Sequence, residues 1–167
     1  MRRVLAILLV GMALAFAQAF PKEAIPFEGK TLDGGYFKLT EYLGKKPIFL
    51  NFWATHCPPC LMEGPELEAY HQRYRDRIAF VAVDVQDHPK MANYRVKDWG
   101  WTFPVVIDYY GDVARAYRVG YLPTSFFIDR EGQVVAVHPG LLIMRDQSGA
   151  LIKDFLTPYL EKLLKTP

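Results

Sequence analysis

Two cysteines, Cys57 and Cys60, are the only ones among 167 residues, and they stand three apart in the run Trp53-Ala54-Thr55-His56-Cys57-Pro58-Pro59-Cys60. Pro47 to Trp53 is a short, almost continuously apolar stretch, which reads as a strand buried on both faces. Pro58 suits the first turn of a helix, where its missing N–H is no loss. In that turn the spacing brings the two sulfurs within bonding reach, so the pair can cycle between dithiol and disulfide. The helix N-terminus also favours a thiolate at Cys57, through unpaired backbone N–H groups and the helix dipole.

Two blander chemistries compete. A purely structural bridge closing so short a loop constrains the unfolded chain little. A structural zinc site wants four ligands, yet there is no second Cys-X-X-Cys, and His56, His71, His88 and His138 show no paired ligand spacing. The pattern points to thiol–disulfide exchange, with no metal and no cofactor beyond the Cys57–Cys60 pair. Pro58 and Pro59 remove two backbone donors near the Cys57 sulfur, which makes the reduced form less stable and the couple more reducing. His56, if protonated, pushes the other way by favouring the thiolate.

The elements that position this pair follow from pattern. Phe27 to Leu32 and Tyr36 to Leu39 flank Asp33-Gly34-Gly35 as a hairpin. Thr40 to Gly44 reads as one helical turn capped by Thr40. After Pro47 to Trp53, a helix runs from Pro58 toward Arg75, with a kink expected at Pro65. Ile78 to Val85 is a buried strand, Pro89 to Trp99 a helix, Phe103 to Asp108 a strand and Asp112 to Tyr117 a short helix. Ser125 to Asp129 and Gln133 to His138 are strands joined by a tight turn. Leu151, Ile152, Phe155, Leu156, Tyr159, Leu160, Leu163 and Leu164 fall on one face of a C-terminal helix. Trp99 and Trp101 suit the core or its edge better than a partner-facing patch. Strands alternating with helices, then a hairpin and a helix, argue for an α/β sandwich around a mixed sheet.

Met1-Arg2-Arg3 followed by an uncharged, largely apolar stretch from Val4 to Phe20 reads as a secretory leader. Ala15-Phe16-Ala17 and Ala17-Gln18-Ala19 each offer a small-X-small cleavage site. The stretch holds 17 residues, the lower bound of the roughly 17–25 that span a bilayer, so an uncleaved anchor is the competing reading. The chain divides into residues 1–19, signal peptide or N-terminal membrane anchor, and 20–167, one domain. The net charge of +2 equals the contribution of Arg2 and Arg3, so the domain is formally neutral. Nothing in that balance points to nucleic acid or an anionic surface. An exported dithiol that must stay reduced needs an electron supply, because disulfides persist outside the cytoplasm.

The order strand, WATHCPPC, helix, then Tyr121-Leu122-Pro123-Thr124-Ser125-Phe126-Phe127-Ile128-Asp129 resembles the thioredoxin superfamily. More narrowly the chain is similar to the exported TlpA/ResA-like thiol:disulfide oxidoreductases. The Thr31-Leu32-Asp33-Gly34-Gly35 hairpin, Leu50-Asn51-Phe52-Trp53-Ala54-Thr55, Glu63-Gly64-Pro65-Glu66-Leu67 and the extra strand–helix block before Phe103 carry that likeness. The resemblance implies a thioredoxin-like α/β fold with an N-terminal hairpin and an inserted strand–helix block. It implies Cys57 as attacking thiolate, Cys60 as resolving thiol, and Glu63 as the acid that handles the Cys60 proton. It makes Pro123 a cis-proline and places Leu122, Pro123 and Trp53 against the substrate. Thioredoxins proper carry a buried acid where this chain has Asn51, and the subgroup has tryptophan where this chain has His56. The implied substrates are apocytochrome c or the cysteines of a copper-site protein. The resemblance further implies a membrane electron donor that recharges the domain, and a monomer in the periplasm or on the outer face of the cytoplasmic membrane. A dithiol oxidase or isomerase, a thiol peroxidase and a Sco-like copper carrier are the alternatives. Ala54 stands where a peroxidase wants threonine, and a copper carrier of that type uses a wider cysteine spacing and a distal histidine.

Overall fold

The computed structural model describes residues 19–166; the leader read at 1–19 lies outside them except for Ala19. Among the described residues, no helix is long and apolar enough to cross a membrane. Five strands form a mixed sheet in the order β5-β4-β3-β6-β7. They are β3 (Ile48–Trp53), β4 (Ala79–Val85), β5 (Val105–Asp108), β6 (Thr124–Ile128) and β7 (Val134–Pro139). β3 runs parallel to β4 and antiparallel to β6, while β5 extends the parallel half. Every residue of β3 and β4 is buried, as continuous apolar runs require when both faces are covered.

Side-chain alternation sends the two strand faces into separate cores. Phe49, Trp53, Phe80 and Phe127 pack with Cys57, Cys60, Leu67 and Tyr74 of helix α1 (Pro58–Tyr74), and with Leu156, Leu160 and Leu163 of helix α4 (Leu156–Leu163). Ile48, Leu50, Phe52, Val81, Val83 and Phe126 pack on the other face with Phe37, Leu39, Ala114 and Tyr117. The strands β1 (Glu28–Lys30) and β2 (Tyr36–Lys38) form the expected hairpin. It covers the open edge of β5 through the Thr31–Val106 bridge, which protects an otherwise unpaired strand.

Two local expectations change. The turn after β2 is a 3-10 turn over Leu39–Glu41 that starts without a side-chain cap; Thr40 does not cap it, because Leu39 is already inside the turn, buried in the core. More consequentially, Leu151 and Ile152 are not helical. They belong to strand β9 (Leu151–Asp154), paired with β8 (Ile143–Arg145), and both are exposed. Asp146 accepts hydrogen bonds from the Ser148 and Ala150 amides, and Gly149 adopts φ +83°, closing a tight turn. Asp154 then takes the Thr157 amide at 2.9 Å, starting α4 only at Leu156. Local side-chain capture of backbone donors outcompetes the helical alternative. Arg145 clamps Glu66 through two nitrogens at 2.6 and 2.8 Å, and Tyr70 donates to Asp154 at 2.9 Å, so this hairpin is fastened along α1.

Helices α2 (Pro89–Trp99) and α3 (Asp112–Ala116) complete the layers. The segment after α2 wedges against α1 at one glycine. The Trp101 indole N–H donates to the Gly64 carbonyl at 2.8 Å, and a Cβ at Gly64 would lie 2.5 Å from the Trp99 ring. That ring is held between Trp53 (5.1 Å) and Trp101 (4.9 Å), so it has little room to yield. Gly64→Ala should therefore destabilise the domain by about 1–2 kcal/mol in urea unfolding, the overpacking cost exceeding the helix-propensity gain. A variant as stable as the parent would show that the tryptophan wedge is loose.

Candidate active site

The segment Ala54 to Cys57 links the C-terminal end of β3 to the start of α1, so the sheet delivers Cys57 to the helix N-terminus. Cys57 is the N-cap, with Pro58 and Pro59 in the first two helical positions. A disulfide joins Cys57 to Cys60, whose Cα atoms are 5.3 Å apart. Cys57 is 7% exposed and Cys60 2%, so the first cysteine is the more open of the two. Because neither proline has an N–H, the first amide available to Cys57 is that of Cys60, which donates to Cys57 Sγ at 3.2 Å. One backbone donor remains where an ordinary helix start offers several.

Glu63 lies one turn beyond Cys60 and is not a solvated helix carboxylate: it is 1% exposed. Its Oε1 accepts from Asn51 Nδ2 at 3.3 Å, and its Oε2 from the Leu142 amide at 2.6 Å. Asn51 also donates to Ser125 Oγ at 3.0 Å. The carboxyl therefore ties α1 to β3, β6 and the loop between β7 and β8. Burial pushes its pKa up to about 7, with the Leu142, Asn51 and Ile143 donors pulling part of the way back. Leu142 carried no sequence signal for this role, because any residue except proline supplies an amide. Ser125, by contrast, stands out as a polar residue in an apolar strand.

The Leu122–Pro123 peptide bond is cis. The Pro123 carbonyl accepts the Gly140 amide at 2.7 Å, linking this loop to the one that holds Glu63. Leu122 is half-buried and packs against the core cluster containing both cysteines, beside the exposed ring of Tyr121. Trp53 is misplaced by the sequence reading. It is 1% exposed and packed between Trp99 and Trp101, so it supports the cysteine loop from below and offers no surface to a substrate. The strand pleat turns it inward, toward the core face shared with Phe49 and Phe80.

His56 is exposed on the loop, with its Nδ1 3.1 Å from Asp87 Oδ1. Asp87 is buried and also accepts the Thr55 amide, and the Thr55 hydroxyl at 2.9 Å. It therefore anchors the residues just before Cys57, a role that sequence reasoning missed. The Asp84-Val85-Gln86-Asp87 ending of a buried strand was the available signal.

A model described as the AhpC/TSA family matches residues 21–137. The chain is 34% identical over 143 residues to the thiol-disulfide oxidoreductase ResA of Bacillus thuringiensis, covering 85% of this chain and 77% of that protein. It is 37% identical over 121 residues to ResA of Halalkalibacterium halodurans, covering 71% and 68%. Among solved structures, a putative thiol:disulfide interchange protein DsbE from Chlorobium tepidum superposes with a TM-score of 0.74 at 27% identity, over 87% of this chain and 98% of that one.

The buried acid sets a pH dependence of stability. Glu63 binds its proton more tightly folded than unfolded, so its stabilising contribution is present below pH 4.5 and is lost as pH rises through about 7. That interval corresponds to about 3 kcal/mol. Urea unfolding of the oxidised protein on either side of it should show the decline, and Glu63→Gln should remove most of it. An equal decline in both proteins would mean that Glu63 is ionised throughout.

Proposed function

The chain belongs to the AhpC/TSA family and, within the thioredoxin superfamily, to the ResA thiol-disulfide oxidoreductases, and on that premise we propose that it is an exported reductase of protein disulfides. The observation that carries the proposal is the Cys57–Cys60 disulfide at the head of α1, with the buried Glu63 one helical turn beyond Cys60. The Cys57 thiolate attacks a substrate disulfide, forming a mixed disulfide and expelling one substrate thiolate. Cys60 then gives its proton to the Glu63 carboxylate and attacks Cys57 Sγ. The second substrate sulfur leaves as a thiolate, and the Cys57–Cys60 disulfide remains. Two electrons have passed to the substrate, and a membrane electron donor returns the pair to the dithiol. Leu122, before the cis bond, offers backbone to the substrate chain in strand fashion.

The direction is supported by Pro58 and Pro59, which leave the Cys57 sulfur with the Cys60 amide as its backbone donor. A poorly stabilised thiolate makes a reducing couple. The ResA and DsbE names of the similar proteins fit apocytochrome c as the substrate, its haem-binding cysteines needing reduction where disulfides otherwise form; the cysteines of a copper-site protein pose the same chemical task. The apolar leader fits export to the periplasm or the outer face of the cytoplasmic membrane.

The reduction potential tests the direction, with tryptophan fluorescence in thiol–disulfide buffers as the readout. A value at or below that of thioredoxin, about −270 mV, is expected; one near the −120 mV of a strong oxidant would overturn it. Glu63→Gln should slow resolution of the mixed disulfide and shift its pH profile, and an unchanged profile would remove Glu63 from the proton path. His56→Trp should move the Cys57 alkylation profile to higher pH; coincident profiles would make His56 a bystander.

A further inference from the structure

A second buried acid lies behind the cysteine loop, unused by the exchange steps. Asp84, near the end of β4, is 0% exposed, and neither of its carboxyl oxygens meets a hydrogen-bond donor. Its register partner on β3 is Trp53 and on β5 Ile107. Paired residues share a sheet face, so Asp84 lies on the side where α1 carries the cysteines. Three residues on stands a second buried carboxyl, Asp87, whose charge acts on Asp84; it accepts from the Thr55 amide and hydroxyl and approaches His56. Asp108, at the end of β5, adds its charge from a third element while accepting the Val113 and Ala114 amides.

Two buried carboxyls in contact do not both ionise. Their surroundings decide which one keeps the proton. Asp87 is supplied with donors from the cysteine loop, and Asp84 has none. We propose that Asp84 is a neutral acid whose hydroxyl donates to the Asp87 carboxylate, and that through Asp87 this pair positions Thr55, His56 and hence the attacking Cys57. Asp84 and Asp87 are thus positioning residues, separate from the proton path through Glu63.

The same contacts fix the direction in which each acid is pushed. Burial, then the hydrogen bond and charge of Asp87, then the charge of Asp108 push Asp84 up to about 9. Asp87 moves below the ordinary carboxylate range: burial alone would raise it, but the donors from Asp84, Thr55 and His56 prevail. At neutral pH the pair carries one charge. When Asp84 ionises in the alkaline range, a second charge appears against Asp87 and the loop loses a rigid anchor.

The test uses the full chain in both redox states. In oxidised protein carrying Glu63→Gln, which removes the other raised acid, infrared spectroscopy should show a protonated-carboxyl band at neutral pH. The band should fade around pH 9 and be absent once Asp84→Asn is added. No such band, or one that survives Asp84→Asn, overturns the assignment. In reduced protein, the alkylation rate of Cys57 should show a second, alkaline step of about threefold or more, on the scale of one lost hydrogen bond. Asp84→Asn, whose amide donates at every pH, should abolish that step, and Asp87→Asn should change the rate already near neutrality. Coincident profiles overturn the positioning role. That role rests on Cys57 being the attacking thiol, and peptide mapping of the alkylated cysteine keeps the two apart: label on Cys60 defeats the attacking-thiol reading, whereas label on Cys57 with a profile lacking the step defeats this one.

Discussion

A carboxyl group inside the protein constrains everything around the cysteines. Burying an acid without partners is costly, and leaving it charged is more so. Glu63 meets this constraint with donors from two directions, the Asn51 amide on β3 and the Leu142 backbone beyond β7. Each donor must itself be held. Asn51 is fixed by Ser125 on β6, and Leu142 by the chain path from Gly140, whose amide meets the carbonyl of Pro123. The Phe155 amide on the Leu142 carbonyl closes the same loop against the start of α4. The position of one buried acid thus depends on two strands, two helices, the loop after β7 and the cis-proline loop.

The tryptophans supply the rigidity this network needs. Trp53, Trp99 and Trp101 form one packed group, and Trp101 bonds to the carbonyl of Gly64, the residue after Glu63. Glycine is required there because the Trp99 ring occupies the space a side chain would fill. Aromatic contacts of this kind add to simple burial. Their placement, at the turn of α1 that follows Cys60, locks the helix against sliding over the sheet. On the opposite side of α1, the Arg145–Glu66 pair and the Tyr70–Asp154 bond attach the β8–β9 hairpin. Such exposed pairs are individually weak, but together they span the helix.

Much of this was legible from residues. The spacing of Cys57 and Cys60, the apolar runs of β3 and β4, and Pro123 before an apolar strand each carry their own physical signal. What escaped was set by contacts distant in sequence. Leu151 and Ile152 fit a helical stripe by periodicity, yet Asp146, Gly149 and Asp154 divert the backbone into a turn and a strand. Trp53 adjoins the motif in sequence, but the strand pleat turns it into the core. The amide of Leu142 was invisible because a backbone donor has no residue type, and the Thr55–Asp87 bonds because alternation along β4 does not say where the chain turns after Val85.

The position of the acid has a mechanical consequence. With thioredoxins the likeness places a carboxyl on the strand before the cysteines; here that position is Asn51, and the buried acid stands on α1. Glu63 shares one helix with Cys60, three residues on, so the separation of the two residues is fixed by helical geometry and survives small shifts of α1 over the sheet. Asn51, unable to titrate, keeps the strand's part of the arrangement as a hydrogen-bond donor. It restrains the pKa of Glu63 without competing for the proton. The amide on β3 and the buried acid on α1, the helix that carries the disulfide, are thus joined as one unit by the Asn51–Glu63 hydrogen bond.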